Sequence, residues 1–262
     1  MLKKEQQYEY IDKRCENATL AVKNFGENKD HEELHKLRVE IKKLKACAAF
    51  TSKLAGEHYK KKLRPVSEIF KKAGEIRTAR LNLATLKKYR IRATAFRQGQ
   101  LAIGENVAQQ FNTSSGRYTQ VIKSTCDELR DDCGDISNKK IREFYSKKIE
   151  LLSMFFTEKF DEGKLHERRK IIKRLVYVDS LLPDKLKAEL AINIPYLDTL
   201  QDIIGKWHDA LVIIDLLNKA GTGEQKTALL LREKEGLLQA VKLLANHFEK
   251  NISIKKTLYT GP

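Results

Sequence analysis

The chain has 262 residues, with 51 Lys and Arg against 35 Asp and Glu, a formal net charge of +16 and 41% hydrophobic residues. That hydrophobic fraction, laid out with helical periodicity, excludes a disordered chain, and the length fits one large or two small domains. The positive charge predicts a polyanionic partner, and no apolar run approaches the roughly 18 residues that a membrane span needs.

Taken in order, Met1-Leu2-Lys3-Lys4-Glu5-Gln6 leads directly into an amphipathic pattern without the apolar core of a signal peptide, so a cytoplasmic location is expected. Tyr8, Ile11, Cys15, Ala18, Val22 and Phe25 recur at steps of three and four, which predicts a helix ending at Gly26. Asp30 can cap a second helix from about His31 to Leu54, stopping near Gly56. Pro65 either opens or kinks a long helix through Gly74 and Arg77 to Tyr89. A further helix over Ala93–Phe111 is followed by Asn112-Thr113-Ser114-Ser115-Gly116, read as a loop, and another helix runs to Arg130. Asp131-Asp132-Cys133-Gly134-Asp135 reads as a linker between residues 1–131 and 132–262.

The second half repeats the order. Helices are expected over Lys139–Phe160 and Leu165–Leu182, with Asp161-Glu162-Gly163 as the turn between them. A long helix follows the Pro183-Asp184 break to Lys219, and Gly221-Thr222-Gly223 separates it from a last helix carrying Leu230, Leu237, Val241, Leu244 and Phe248. Period-two alternation is absent, so the chain is predicted all-α, as two up-and-down four-helix bundles. Cys15, Cys47, Cys126 and Cys133 have no metal-ligand or redox spacing and are read as reduced thiols.

One stretch organises the rest. His35-Lys36-Leu37-Arg38-Val39-Glu40-Ile41-Lys42-Lys43-Leu44-Lys45 has a gapless counterpart 131 residues on. There His166, Arg169, Lys173, Arg174 and Leu175 fall on His35, Arg38, Lys42, Lys43 and Leu44, and Gly205 and His208 fall on Gly74 and Arg77. At about 100° per residue, His35, Arg38, Lys42 and Lys45 lie within roughly 80° of one another and rise about 15 Å. Beside this cationic stripe, Leu34, Leu37, Ile41, Leu44 and Ala48 form an apolar one that can anchor the helix. A run of Lys and Arg is usually a solvated face, and a His beside an apolar stripe is usually packed. A solvated face needs charge but no fixed spacing, so recurrence at identical offsets favours an anion site. Gly74 and Gly205 weaken their helices by about 1 kcal/mol each relative to Ala, and close approach of a neighbouring helix is the expected reason.

With these residues in view, the sequence resembles the CHAD family, the conserved histidine α-helical domain, whose members bind inorganic polyphosphate. The resemblance rests on the doubled His-x2-Arg-x3-Lys motif, Gly74-x2-Arg77, and Leu200-Gln201-Asp202-x2-Gly205-x2-His208-Asp209-Ala210. It implies two four-helix bundles related by a pseudo-twofold axis around a basic groove or pore, and a non-enzymatic role without metal or cofactor, sometimes at polyphosphate granules. It also implies occasional partnership with triphosphate-processing enzymes. The implied ligand contacts are His35, Arg38, Lys42, Lys43, Lys45 and Arg77 in the first half, and His166, Arg169, Lys173, Arg174 and His208 in the second. Thr78 departs from the family's Asp, which Asp209 supplies in the second half, and Val176 replaces Lys45.

Two other readings compete. His208-Asp209 resembles the paired ligands of helical metal-dependent phosphohydrolases, but Arg77 and Thr78 stand at the matching positions and no spaced His and Asp set completes a shell. Nucleic-acid binding is allowed by charge, yet no aromatic platform lies between His35 and Lys45 or between His166 and Leu175. The halves also differ: residues 1–131 carry a net +12 against +4 for 132–262, with Lys45, Arg77 and the Lys60-Lys61-Lys62-x-Arg64 cluster in the first. The first stripe is therefore expected to hold a ligand more tightly.

Overall fold

A computed structural model describes residues 1–55, 59–219 and 224–253, among which every regular element is helical. The expected stop at Gly56 and the Gly221-Thr222-Gly223 separator lie outside the described residues. The chain divides into two compact units, Lys3–Ile136 and, with Met1–Leu2, the residues from Ser137 onward. No helix among the described residues is long and apolar enough to cross a membrane.

The first unit is built from α1 (Lys4–Asn28), α2 (His31–Ala55), α3 (Tyr59–Lys62), α4 (Arg64–Lys88), α5 (Thr94–Thr113) and α6 (Ser115–Asp131). α1 packs on α2 and α6, α2 on α4, and α5 lies along α4. Ile11, Ala18, Val22 and Phe25 of α1 turn inward, and Leu34, Leu37, Ile41, Leu44 and Ala48 of α2 are each at most 3% exposed. The apolar stripe thus fixes the rotation of α2 about its axis. α1 runs through Gly26 and ends where Lys29 takes a left-handed backbone (φ 55°) and donates its N–H to the Phe25 carbonyl at 3.0 Å. Asp30 then caps α2, its Oδ1 accepting the Glu32 N–H at 2.9 Å, and Pro65 sits in the first turn of α4.

Two expected irregular segments are more ordered than their composition suggests. Asn112–Gly116 is not a loop: only Ser114 separates α5 from α6, and its N–H still reaches the Gln110 carbonyl at 3.1 Å. Buried Phe111 supplies the reason, since its ring packs on Phe25 (5.5 Å between centroids) and Tyr118 (4.8 Å), which draws both helix ends inward. Asp131–Asp135 is tied to the start of α1. Asp135 accepts the Lys4 N–H and the Lys3 ammonium, both at 3.0 Å, and Gln7 Nε2 donates to the Gly134 carbonyl at 2.7 Å.

The second unit contains α7 (Asn138–Thr157), a 3-10 turn at Glu162–Lys164, α8 (Leu165–Asp179), α9 (Asp184–Leu190), α10 (Ile194–Lys219), α11 (Glu224–Ala245) and α12 (Phe248–Asn251). α10 packs on α8 and α11, and α7 on α11 and α12. The single long helix expected after Pro183 is split. Ala191 takes a left-handed backbone (φ 49°) to close α9, and Pro195, which has no N–H to give, stands in the first turn of α10. In α11 Leu238 is buried where Leu237 was expected, and Phe248 lies in the separate α12.

Leu37→Ala should destabilise the protein by about 2–5 kcal/mol through the cavity it leaves. Leu243→Ala, at a position 68% exposed, should change stability by less than about 0.5 kcal/mol. Urea denaturation of the two variants checks the contrast.

Candidate anion-binding site

With its leucines inward, α2 carries His35, Arg38, Lys42 and Lys45 along the edge that faces α4. Arg38 reaches across: its Nη1 donates to the Phe70 carbonyl at 2.6 Å, and its guanidinium lies 3.9 Å from the Phe70 ring centroid. Lys45 and Lys42 flank the same ring at 4.6 and 5.9 Å, distances at which a cation is attracted to the π face. One turn along α4, a Cβ on Gly74 would overlap Arg38 Nη1. The glycine therefore makes room for a guanidinium, and the expected close approach is by a side chain rather than by a helix backbone.

The second unit repeats the contact at the same offsets. Arg169 Nε donates to the Gln201 carbonyl at 2.8 Å, 32 residues on, as Arg38 does to Phe70. A Cβ on Gly205 would stand 2.5 Å from Arg169 Nη2 and 2.9 Å from its Cζ. Where the first unit sets Arg77 near His35, the second lays the His208 ring against His166, with centroids 4.2 Å apart and planes at 35°. The Nδ1 of His166 is buried and finds no hydrogen-bond partner among the described residues.

Electrostatics in both places are those of crowded cations. His35 titrates below the usual histidine range because of burial and then Arg77; His166 does so because of burial and then His208. Arg38 is shifted down by burial and Arg77, and Lys45 by burial, Arg38 and Lys71. Lys173 is lowered by burial and Arg169, but Asp202 and Asp198 oppose that shift. Like charges held together in half-buried surroundings are relieved by an anion.

Not every basic residue of the motif joins the stripe. Lys43 is turned toward α1, where it pairs with Glu40 at 2.7 Å, and Glu40 also takes Arg14 at 3.0 Å. Arg174 stands eight residues after His166, as Lys43 does after His35, which puts it about 80° round the helix from the histidine and about 100° or more from Arg169 and Lys173. Two members of the Lys60–Arg64 cluster face carboxylates outside the stripe. Lys62 pairs with Asp132 at 2.5 Å, and Arg64 lies 3.9 Å from Glu68. Phe70 and Lys71 in the first unit, and Asp198, Gln201 and Asp202 in the second, were missed as neighbours of the stripe. The 131-residue shift that pairs the motifs also pairs these positions, and was the available signal. Asp209 is exposed beside His208, and among the described residues no group of three or more His, Cys, Asp or Glu side chains could hold a metal.

Gly74→Ala and Gly205→Ala should each gain up to about 1 kcal/mol of helix propensity and lose an arginine hydrogen bond worth about 1.5–3 kcal/mol. A net loss of about 1–2 kcal/mol by urea denaturation is expected in each case. A net gain would mean that the guanidinium leaves its carbonyl without cost.

Comparison with known proteins follows the geometry. The family model of the CHAD domain matches residues 9–218. A solved structure, the CHAD domain from the plant Ricinus communis, aligns with a TM-score of 0.60 over 97% of this chain and 89% of that one, at 17% identity, a likeness of fold. The comparison with curated proteins finds no match. A family model that spans most of the chain, and a solved fold of the same kind, together show that this protein belongs to the CHAD domain family.

Proposed function

We propose that the protein binds inorganic polyphosphate, or a polyanion of the same chemistry, along its two motif stripes and does not turn it over. The observation that carries this reading is the crowding of Arg38, Lys45, Lys71 and Arg77 around one half-buried edge, where, beyond the effect of burial, Arg77 lowers the proton affinity of Arg38 and His35, and Arg38 and Lys71 lower that of Lys45. A flexible chain of phosphates relieves that repulsion at many points. Lys supplies point charges and Arg a planar donor fork. The Phe70 ring supports a ligand without bases, because the Arg38 guanidinium lies over it at 3.9 Å and Lys45 and Lys42 flank it at 4.6 and 5.9 Å, so cations occupy the place where a base would stack. Any partnership with a triphosphate-processing enzyme would use the same bound chain.

Isothermal titration with long-chain polyphosphate tests the reading. Saturable binding that weakens steeply between about 50 and 200 mM salt is expected, because displaced counterions drive such contacts. Absence of binding, or an affinity indifferent to salt, overturns it, and phosphate release on adding a divalent metal would favour a phosphohydrolase at His208-Asp209. Arg38→Ala/Lys42→Ala should weaken binding more than Arg169→Ala/Lys173→Ala, since Lys45, Lys71 and Arg77 reinforce the first stripe where Val176, Asp202 and His208 stand in the second.

The histidines give the reading a pH dependence. His35 and His166 are held below the ordinary value of about 6.5 and are neutral at neutral pH. A bound polyanion favours their charged form, so binding takes up protons and affinity should rise as pH falls from about 8 to 6. Without ligand the sign is opposite. The folded state binds fewer protons than the unfolded chain, so these groups' contribution to stability is intact above about pH 6.5 and is lost as pH falls below it. The double change His35→Gln/His166→Gln should flatten the pH dependence of affinity; an unchanged slope would show that neither imidazole meets the ligand.

A further inference from the structure

Ser67, Phe70 and Lys71 of α4 fall on Asp198, Gln201 and Asp202 of α10 under the 131-residue shift. These positions, spaced i, i+3 and i+4, share one helix face. It is the face that meets the motif helix, because the Phe70 and Gln201 carbonyls receive Arg38 and Arg169. At the same place the first unit carries an added cation, and the second carries two carboxylates. Lys71 adds repulsion at Lys45, whereas Asp202 and Asp198 add attraction at Lys173.

The two carboxylates are held in a defined arrangement. Gln201 is 4% exposed, and its Nε2 donates to Asp198 Oδ1 at 3.0 Å and to Asp202 Oδ1 at 2.6 Å. A buried amide thus fixes two exposed aspartates side by side at the rim of the second stripe. Seen from beyond a Debye length of about 8 Å, Arg169 and Lys173 are offset by Asp198 and Asp202. At direct contact the cations are still available to an oxygen that reaches them.

Building on the proposed polyphosphate binding, we propose that Asp198 and Asp202 are specificity-determining residues of the second stripe. They cancel its long-range pull on polyanions in general, and leave Arg169 and Lys173 to a ligand whose phosphate oxygens make direct contact. The first stripe collects anions by net charge, and the second accepts the dense phosphate chain while disfavouring a nucleic acid, whose sugars space its phosphates so that fewer oxygens reach Arg169 and Lys173 at once. Repulsion of the wrong partner is here built beside attraction of the right one.

The test compares wild type with Asp198→Asn/Asp202→Asn, titrated with polyphosphate and with single-stranded RNA of equal charge at one salt concentration. The RNA affinity should rise about tenfold and the polyphosphate affinity less than about threefold, so that the preference for polyphosphate falls. Equal gains for both ligands, or no change in either, would overturn the assignment. Lys71→Asp, an exposed change in the first unit, should do the reverse, lowering the RNA affinity more than the polyphosphate affinity. It keeps the idea testable if the asparagine variant does not fold. Wild type binding neither ligand would overturn the proposed function itself, whereas wild type binding polyphosphate with an unmoved preference would overturn this inference alone.

Discussion

A guanidinium laid across a glycine and hydrogen-bonded to a helix carbonyl is the contact on which each unit depends. Arg38 on Phe70 and Gly74, and Arg169 on Gln201 and Gly205, each join the motif helix to its neighbour through a charged side chain, beside the buried apolar faces of the same helices. The carbonyl in question belongs to a helix interior and already accepts a bond along its own axis; its second lone pair is what the arginine takes. Placing a charge there is costly unless hydrogen bonds and a π face compensate. In the first unit the carbonyl, the Phe70 ring and partial exposure to solvent together do so.

This contact also sets what the rest of the stripe can do. With Arg38 fixed, Lys42 and Lys45 are drawn over the same ring, and Arg77 one helical turn past Gly74 falls beside His35. Burial and then that cationic neighbour hold the histidine's pKa down, so it serves as a donor whose charge depends on what occupies the site. In the second unit the equivalent field comes from a histidine ring, and two aspartates lie within range of Lys173. The same framework thus presents two different surfaces, one strongly cationic and one nearly balanced. Net charge over each half of the sequence pointed in that direction, but for an incomplete reason: Lys62 of the basic cluster is spent on Asp132, while Lys71, one residue beyond Phe70, contributes.

The errors in the sequence reading share a cause. Asn112–Gly116 has loop composition, yet burial of Phe111 against Phe25 and Tyr118 keeps the chain helical on both sides of Ser114. A continuous helix was expected after Pro183, and the break came at Ala191, a residue with no local signal for a left-handed backbone. Lys43 and Lys42 are neighbours in sequence and equally basic, but one rotation of about 100° sends Lys43 to Glu40 and Lys42 to the Phe70 ring. In each case the decision was made by a contact distant in sequence.

By itself the sequence determined the all-α class, the apolar stripe that orients α2, and the doubled spacing of His, Arg, Lys and Gly. It could do so because helical period and fixed offsets are local properties, written within a few turns of chain. Tertiary structure decided which cations share a surface, which are consumed by ion pairs, why the glycines are glycines, and that Phe70 and Gln201 lie beneath the two arginines. Those outcomes depend on which residues of another helix come within a few ångströms, and no spacing along a single helix specifies its neighbour.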